Sequence, residues 1–279
     1  MRPSRRSVPV TFPSVAALVV LGWGLLAGAA DTSHLSTDRD AFTPSVHTVG
    51  AGRWITEFSH VYIDNITGPP TNNYPELLVR RGVGERFELR FGVNYGAGSQ
   101  GNVVTNVEVG EGRADGGKLY ESSLLYGFKV DLTAQDGWRP QSCFIMEGAT
   151  PTSGELFGTT PVATTVAGWE LPFGLPRASQ RCRLDGALRY AYVDAATQWF
   201  DRWTPSVVLR MPVTERWEVH AEWFGSYTAG LPADVRRAFF SPGTHVLLTE
   251  NFEVGLRVGW GVSDEAAPFF SDAGVGWRW

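Results

Sequence analysis

Two alternating segments at the end of the chain constrain its fold more than any other feature. In the first, Phe252, Val254, Leu256, Val258 and Trp260 occupy one register, and Glu253, Gly255, Arg257 and Gly259 the other. In the second, Ala273, Val275, Trp277 and Trp279 share one face, and Gly274, Gly276 and Arg278 the opposite one. A period of two belongs to an extended strand, and strict alternation sets one face against an apolar phase and the other against water or polar groups.

The same pattern recurs upstream. Phe87, Leu89, Phe91, Val93 and Tyr95 alternate with Glu88, Arg90, Gly92 and Asn94. Leu124, Tyr126, Phe128, Val130 and Leu132 alternate with Gly127, Lys129 and Asp131 in a strand read from Tyr120, with Glu121 in its polar register. Leu184, Leu188, Tyr190 and Tyr192 oppose Asp185 and Arg189, and Trp203, Val207, Leu209 and Met211 oppose Arg210. Trp217, Val219, Ala221 and Trp223 oppose Glu218, His220 and Glu222. Further strands are expected at Trp54 to Ile63, Leu77 to Val83, Cys143 to Gly148, Val162 to Leu171 and His245 to Glu250. The count is about twelve, all antiparallel.

The links are patterned too. Short ones at Gly84–Arg86, Thr214–Arg216 and Glu250–Asn251 alternate with long ones at Gly96–Lys118, Thr228–Thr244 and Val262–Ser271. A soluble sandwich has no reason to gather its long loops at one end, whereas outer-membrane barrels combine short periplasmic turns with longer extracellular loops.

The N-terminus reads as a secretory signal over residues 1–30. Arg2, Arg5 and Arg6 precede a short apolar core from Val15 to Leu26, and Ala27-Gly28-Ala29-Ala30 supplies small residues for cleavage. The core is too short for a spanning helix, which needs ~20 residues. Removing those three arginines takes the net charge from −5 to −8, which argues against nucleic-acid partners. Residues 31–50 read as a polar N-terminal extension, and no plug domain is legible. Residues 51–279 then form an all-β, antiparallel transmembrane β-barrel. Its apolar register, rich in the chain's 11 Trp, 8 Tyr and 16 Phe, faces lipid, and its charged register faces inward.

A chain ending on an aromatic residue within a strand resembles bacterial outer-membrane barrels. That implies an outer membrane of Gram-negative type, with the lipid bilayer and, through the C-terminal strand, the barrel-assembly machinery as partners. The segments Arg80-Arg81-Gly82-Val83-Gly84-Glu85-Arg86-Phe87-Glu88-Leu89-Arg90, Thr214-Glu215-Arg216-Trp217-Glu218-Val219 and Phe252 to the end resemble the outer-membrane transporter family linked to the MetA-pathway of phenol degradation. The loop Asp264-Glu265-Ala266-Ala267-Pro268 adds to the likeness. The resemblance implies porin-like passive passage of small molecules, aromatic or hydrophobic ones included. Its motifs support the fold more than a cargo.

The lumen-lining candidates are Glu88, Arg90, Glu121, Lys129, Asp185, Arg189, Arg210, Glu218, His220, Glu222, Glu253 and Arg257, with Glu76 and Arg80 in the same register. Mixed charges can select a solute, or pair off and close the barrel, and a closed structural barrel is therefore the alternative. His220 between Glu218 and Glu222 reads as part of a polar row rather than a metal or catalytic set. No metal, cofactor or catalytic residue is expected. A lipid hydrolase is the enzymatic rival, but His60 beside Ser59 cannot pair with it on one face of a strand. Cys143 opens one strand and Cys182 lies just before another, with one strand between, about 9–10 Å apart at strand spacing, and export to an oxidising compartment makes a disulfide between them a hypothesis. A disulfide requires the link Pro172–Arg181 to fold back beneath the barrel.

Overall fold

A computed structural model describes residues 35–99, 101–105, 119–154, 158–194 and 198–279. The expected signal segment and most of the Gly-rich stretch before Lys118 lie outside these residues. Among the described residues twelve strands form one closed antiparallel barrel in which each strand pairs with its neighbours in sequence and the last closes on the first. They are β1 (Trp54–Asp64), β2 (Thr71–Gly84), β3 (Phe87–Gly98), β4 (Leu119–Thr133), β5 (Gln141–Ser153) and β6 (Thr160–Glu170). The second half is β7 (Arg183–Asp194), β8 (Trp199–Thr214), β9 (Trp217–Ala229), β10 (Arg236–Thr249), β11 (Phe252–Gly261) and β12 (Phe269–Arg278). Closure pairs Ile55 with Arg278 and Ile63 with Phe270. No described helix is long and apolar enough to cross a membrane.

The strands run longer than the alternation alone suggested. The long link expected over Thr228–Thr244 is mostly strand, because β10 begins at Arg236. Pro242 and Gly243 break its sequence pattern, and Phe239 places an aromatic ring on the inner face. The link between β6 and β7 breaks the short-turn rule at the periplasmic end, since it spans residues 171–182.

On β3, Glu88, Arg90 and Asn94 are buried, while Phe87, Leu89, Phe91, Val93 and Tyr95 are exposed. A soluble barrel would bury the second set. Here the charges are inside and the apolar side chains outside, the arrangement a bilayer requires. Trp54, Trp217, Trp277 and Trp279 ring the end carrying the short turns, where Trp54 stacks on Trp279 at 5.2 Å. Tyr192, Trp199, Trp260 and Phe269 mark the opposite end. Leu256 stands 53% exposed midway along β11. Leu256→Arg should therefore cost about 2–4 kcal/mol, the penalty for a cation at the bilayer midplane. Urea titration of the barrel refolded into vesicles measures it, and an unchanged midpoint would mean this face does not meet lipid.

The interior holds what the sequence did not announce. Residues 35–50, within the stretch expected to be an N-terminal extension, lie inside the barrel against its lumen-facing side chains. The chain enters through a turn at the periplasmic end, where Gly50 and Gly52 have φ of 84° and 76°. There Gly52 N–H donates to Gly82 O at 2.9 Å and Gly82 N–H to Arg53 O at 3.0 Å. A Cβ on Gly82 would fall 1.6 Å from the Gly50 carbonyl oxygen, so this passage requires glycine. From the other end, residues 101–105 fold inward and bury Val103 and Val104.

Candidate functional site

The inner faces of β1 to β4 supply Glu57, Glu76, Arg80, Glu88, Arg90 and Lys129, all essentially buried. Charges so placed are stable only with opposite partners and complete hydrogen bonding. The plug segment provides both. Asp38 meets Arg80, Arg90 and Lys129, with the Lys129 Nζ 3.2 Å away. Burial pushes the Asp38 carboxyl up, but Arg80, Lys129 and Arg90 together outweigh it and hold it well below the usual carboxylate range.

Arg80 is the centre of this half. Its Nε and Nη2 grip both oxygens of Glu88 at 2.9 and 3.0 Å, and Nη1 reaches Glu57 at 3.1 Å. Its remaining N–H groups donate to Ser36 O at 2.7 Å and His47 O at 3.1 Å, one carbonyl near each end of the plug. Glu57 in turn accepts from the backbone N–H groups of Asp38 and Arg39. Glu88 accepts from Val49 N–H at 2.9 Å, Arg39 pairs with Glu76 at 2.8 Å, and Arg90 reaches across to Glu147 at 2.7 Å.

The opposite wall repeats the logic. Glu222 accepts from Phe42 N–H at 2.8 Å and from both Thr43 N–H and Thr43 Oγ1 at 2.6 Å. Thr37 Oγ1 donates to Glu253 at 2.5 Å. Arg210 holds Asp40 and also faces Asp185 at 3.5 Å and Glu218 at 3.8 Å. Burial raises the Asp40 carboxyl, but Arg210 and the two nearby histidines overcome it, so it too lies below its ordinary value. Arg257 bridges Glu222 at 3.4 Å and Asp272 at 3.1 Å, and donates to Val104 O at 2.8 Å. Thus one arginine ties the inward-folded loop to the wall and, through Glu222, to the plug.

Above the charged layers is an apolar one. Phe42 lies flat on Phe224, with centroids 4.5 Å apart and planes within 3°. Phe224, Phe239 and Phe270 complete an aromatic cluster with Val61, Ile63, Val103, Val104, Ala266 and Ala267. These three wall phenylalanines point inward against the binary pattern, so alternation alone assigns them wrongly or not at all.

Of the sequence candidates, Glu88, Arg90, Lys129, Arg210, Glu222, Glu253 and Arg257 touch the plug, the inward loop or both through the contacts above. Asp185, Arg210, Glu218 and His220 gather on the β7–β10 wall, and Arg189 is buried on the inner face of β7. Glu121 is half-buried at the far end beside Gly154. His220 does not act with Glu222, which the plug occupies; it groups with His245 and Asp40. Glu57, Glu147 and Asp272 were missed, although Glu57 shares the inner register with Ile55 and Ser59. Asp38 and Asp40 carried no signal, because their partners lie far away in sequence. Ser59 is buried inside, while His60 is exposed outside and shares a 3.2 Å contact with Asn72.

Cys143 and Cys182 are both buried free thiols, so the hypothesised bridge does not form. Cys143 is held on the lumen side against Val46, Ile145 and Val166, with its thiol 3.8 Å from Ser45 O. The link carrying Cys182 packs on itself, Cys182 N–H donating to Phe173 O at 2.9 Å. A cavity of about 320 Å³ opens at this end and is lined by Leu35, Asp40, Arg53, Gln180, Glu218 and His245 among others.

No protein-family model and no curated protein matches the chain. Solved structures do. The NanC porin superposes with a TM-score of 0.52 at 9% identity, over 80% of this chain and 98% of that one. The translocator domain of the autotransporter NalP from Neisseria meningitidis gives 0.50 at 12% identity, over 82% and 89%. Likeness at such identity concerns fold alone. Together with the exposed apolar belt it makes this chain a twelve-stranded barrel of the outer membrane.

Proposed function

We propose that the protein is an outer-membrane channel for passive passage of small aromatic or hydrophobic molecules, held closed at rest by residues 35–50. The observation that carries this reading is the flat stack of Phe42 on Phe224 inside the lumen. A side chain of the segment that precedes β1 and folds back into the lumen fills an aromatic-walled site against β9 and its neighbours. Withdrawal of that segment exposes a surface suited to another flat apolar ring. The NanC porin, a structural neighbour, is by its name a channel, and this supports the reading without specifying a cargo. The resemblance to the phenol-degradation transporters points the same way. The chemistry is passage rather than turnover.

The many buried ion pairs between plug and wall favour a second reading, a permanently closed structural barrel. Single-channel current from protein refolded without residues 35–49 decides between them, with heat-modifiable gel migration confirming a folded barrel. The full chain should be silent and the deletion should conduct in discrete steps that small aromatic solutes interrupt. A folded deletion that stays silent, including when residues 101–105 are also replaced by Gly and Ser, would leave the structural barrel as the function.

A further inference from the structure

We propose that His220, His245 and Asp40 form a binding site for a divalent transition-metal ion of the Zn²⁺ class, which staples the plug to the barrel wall. The regulatory half of this inference rests on the plug reading above; the binding site does not. One ligand atom from each residue lies within 4.8 Å of the others. His220 comes from β9, His245 from β10 and Asp40 from the plug, so the site exists only when the plug is seated.

The polar atoms converging there are conspicuous for what they lack. His220 is 3% exposed, yet neither ring nitrogen has a hydrogen-bond partner among the described residues. His245 Nδ1 and Asp40 Oδ1 are likewise buried without a hydrogen bond among the described residues. Buried polar atoms without hydrogen bonds are costly, and three residues that carry such atoms and also bring ligand atoms within 4.8 Å of one another make the pattern a ligand resolves. Gly243, opposite His220 in the sheet, leaves the room its imidazole uses; a Cβ there would lie 2.3 Å from Nε2.

The donor chemistry selects the ion. Two imidazoles and a carboxylate suit Zn²⁺ and its neighbours, with a fourth position for water, and are poor for Ca²⁺ or Mg²⁺. Tetrahedral coordination sets ligand atoms about 3.4 Å apart, so closing the site needs side-chain movement on the order of 1 Å. His245 Nδ1 is already 3.5 Å from Asp40 Oδ2. Charge balance also allows a dication. Arg210 occupies Asp40 Oδ2 but is faced by Asp185, while Asp40 and Glu218 remain to offset the metal, with Glu218 3.6 Å from His245 Nε2. Entry is from the periplasmic end, because the cavity there is lined by Asp40, Glu218 and His245.

The test uses untagged, chelator-stripped full-length barrel, titrated with Co²⁺ by visible absorption and then with Zn²⁺ in competition. The expected result is one equivalent bound. His220→Gln and His245→Gln should each weaken binding by at least roughly 100-fold, the upper end for merely supporting groups, and Asp40→Asn should weaken it as well. In Arg80→Met, where loss of the Ser36 and His47 anchors exposes the plug to trypsin, Zn²⁺ should also slow cleavage after Arg39, and adding His220→Gln should abolish that slowing. Absence of binding, or binding that His220→Gln leaves unchanged, overturns the site. Binding with no change in cleavage overturns the staple alone. The deletion conductance above is measured without metal, so the channel reading stands or falls separately.

Discussion

Replacing Arg80 with Met should destabilise the closed barrel by about 3–5 kcal/mol, the cost of removing one partner from a buried charge network. The substitution keeps an apolar stem of similar length, so packing is largely retained and the loss is electrostatic. It leaves Glu57 without its arginine and takes one of three cations from Asp38. It also frees the carbonyls of Ser36 and His47, so both ends of the plug lose an anchor. Two readouts check the outcome. The urea midpoint of vesicle-refolded protein should fall, and trypsin should cut after Arg39, whose side chain is 7% exposed in the parent. Arg80→Lys should restore only part of the loss, since an ammonium cannot reproduce the fork that grips both oxygens of Glu88. An unchanged midpoint and an uncut Arg39 would show that the plug is held by something other than this network.

The second large effect is expected at Phe42. Truncation to Ala removes a fully buried ring from the lumen cluster, where losses of about 3–5 kcal/mol are typical of Phe→Ala. The space left would be walled by Phe224, Phe239 and Phe270 and by the inward loop's Val103 and Val104. An apolar cavity of that kind takes up a small aromatic molecule, and a ligand that binds only the folded state raises its stability. Benzene should therefore recover part of the lost urea midpoint in Phe42→Ala and do little for the parent. If benzene has no effect while the midpoint falls as expected, the plug and loop have collapsed into the space. The aromatic cargo would then lose its structural support.

How much of this was legible beforehand differs by level. The barrel was, because alternation is local: Phe87 to Tyr95 and Phe252 to Trp260 declare two faces without knowledge of their neighbours. The inner positions of Glu88, Arg90 and Lys129 follow from the same period. Strand ends were less legible where Pro242 and Gly243 interrupt the pattern of β10. The aromatic cluster was hidden because Phe224, Phe239 and Phe270 follow the lumen's packing rather than the lipid's.

The sequence by itself determined that a sheet with one apolar and one charged face must close on itself in a membrane, since an unpaired edge cannot face hydrocarbon. Only the tertiary structure decided what the charged face meets. Asp38, Asp40 and Phe42 look like an ordinary polar stretch with one aromatic residue. Their partners lie far away in the sequence, 180 residues in the case of Phe42 N–H on Glu222. Pairing at that range depends on where twelve strands converge around an axis, a property of the closed barrel that no local period records.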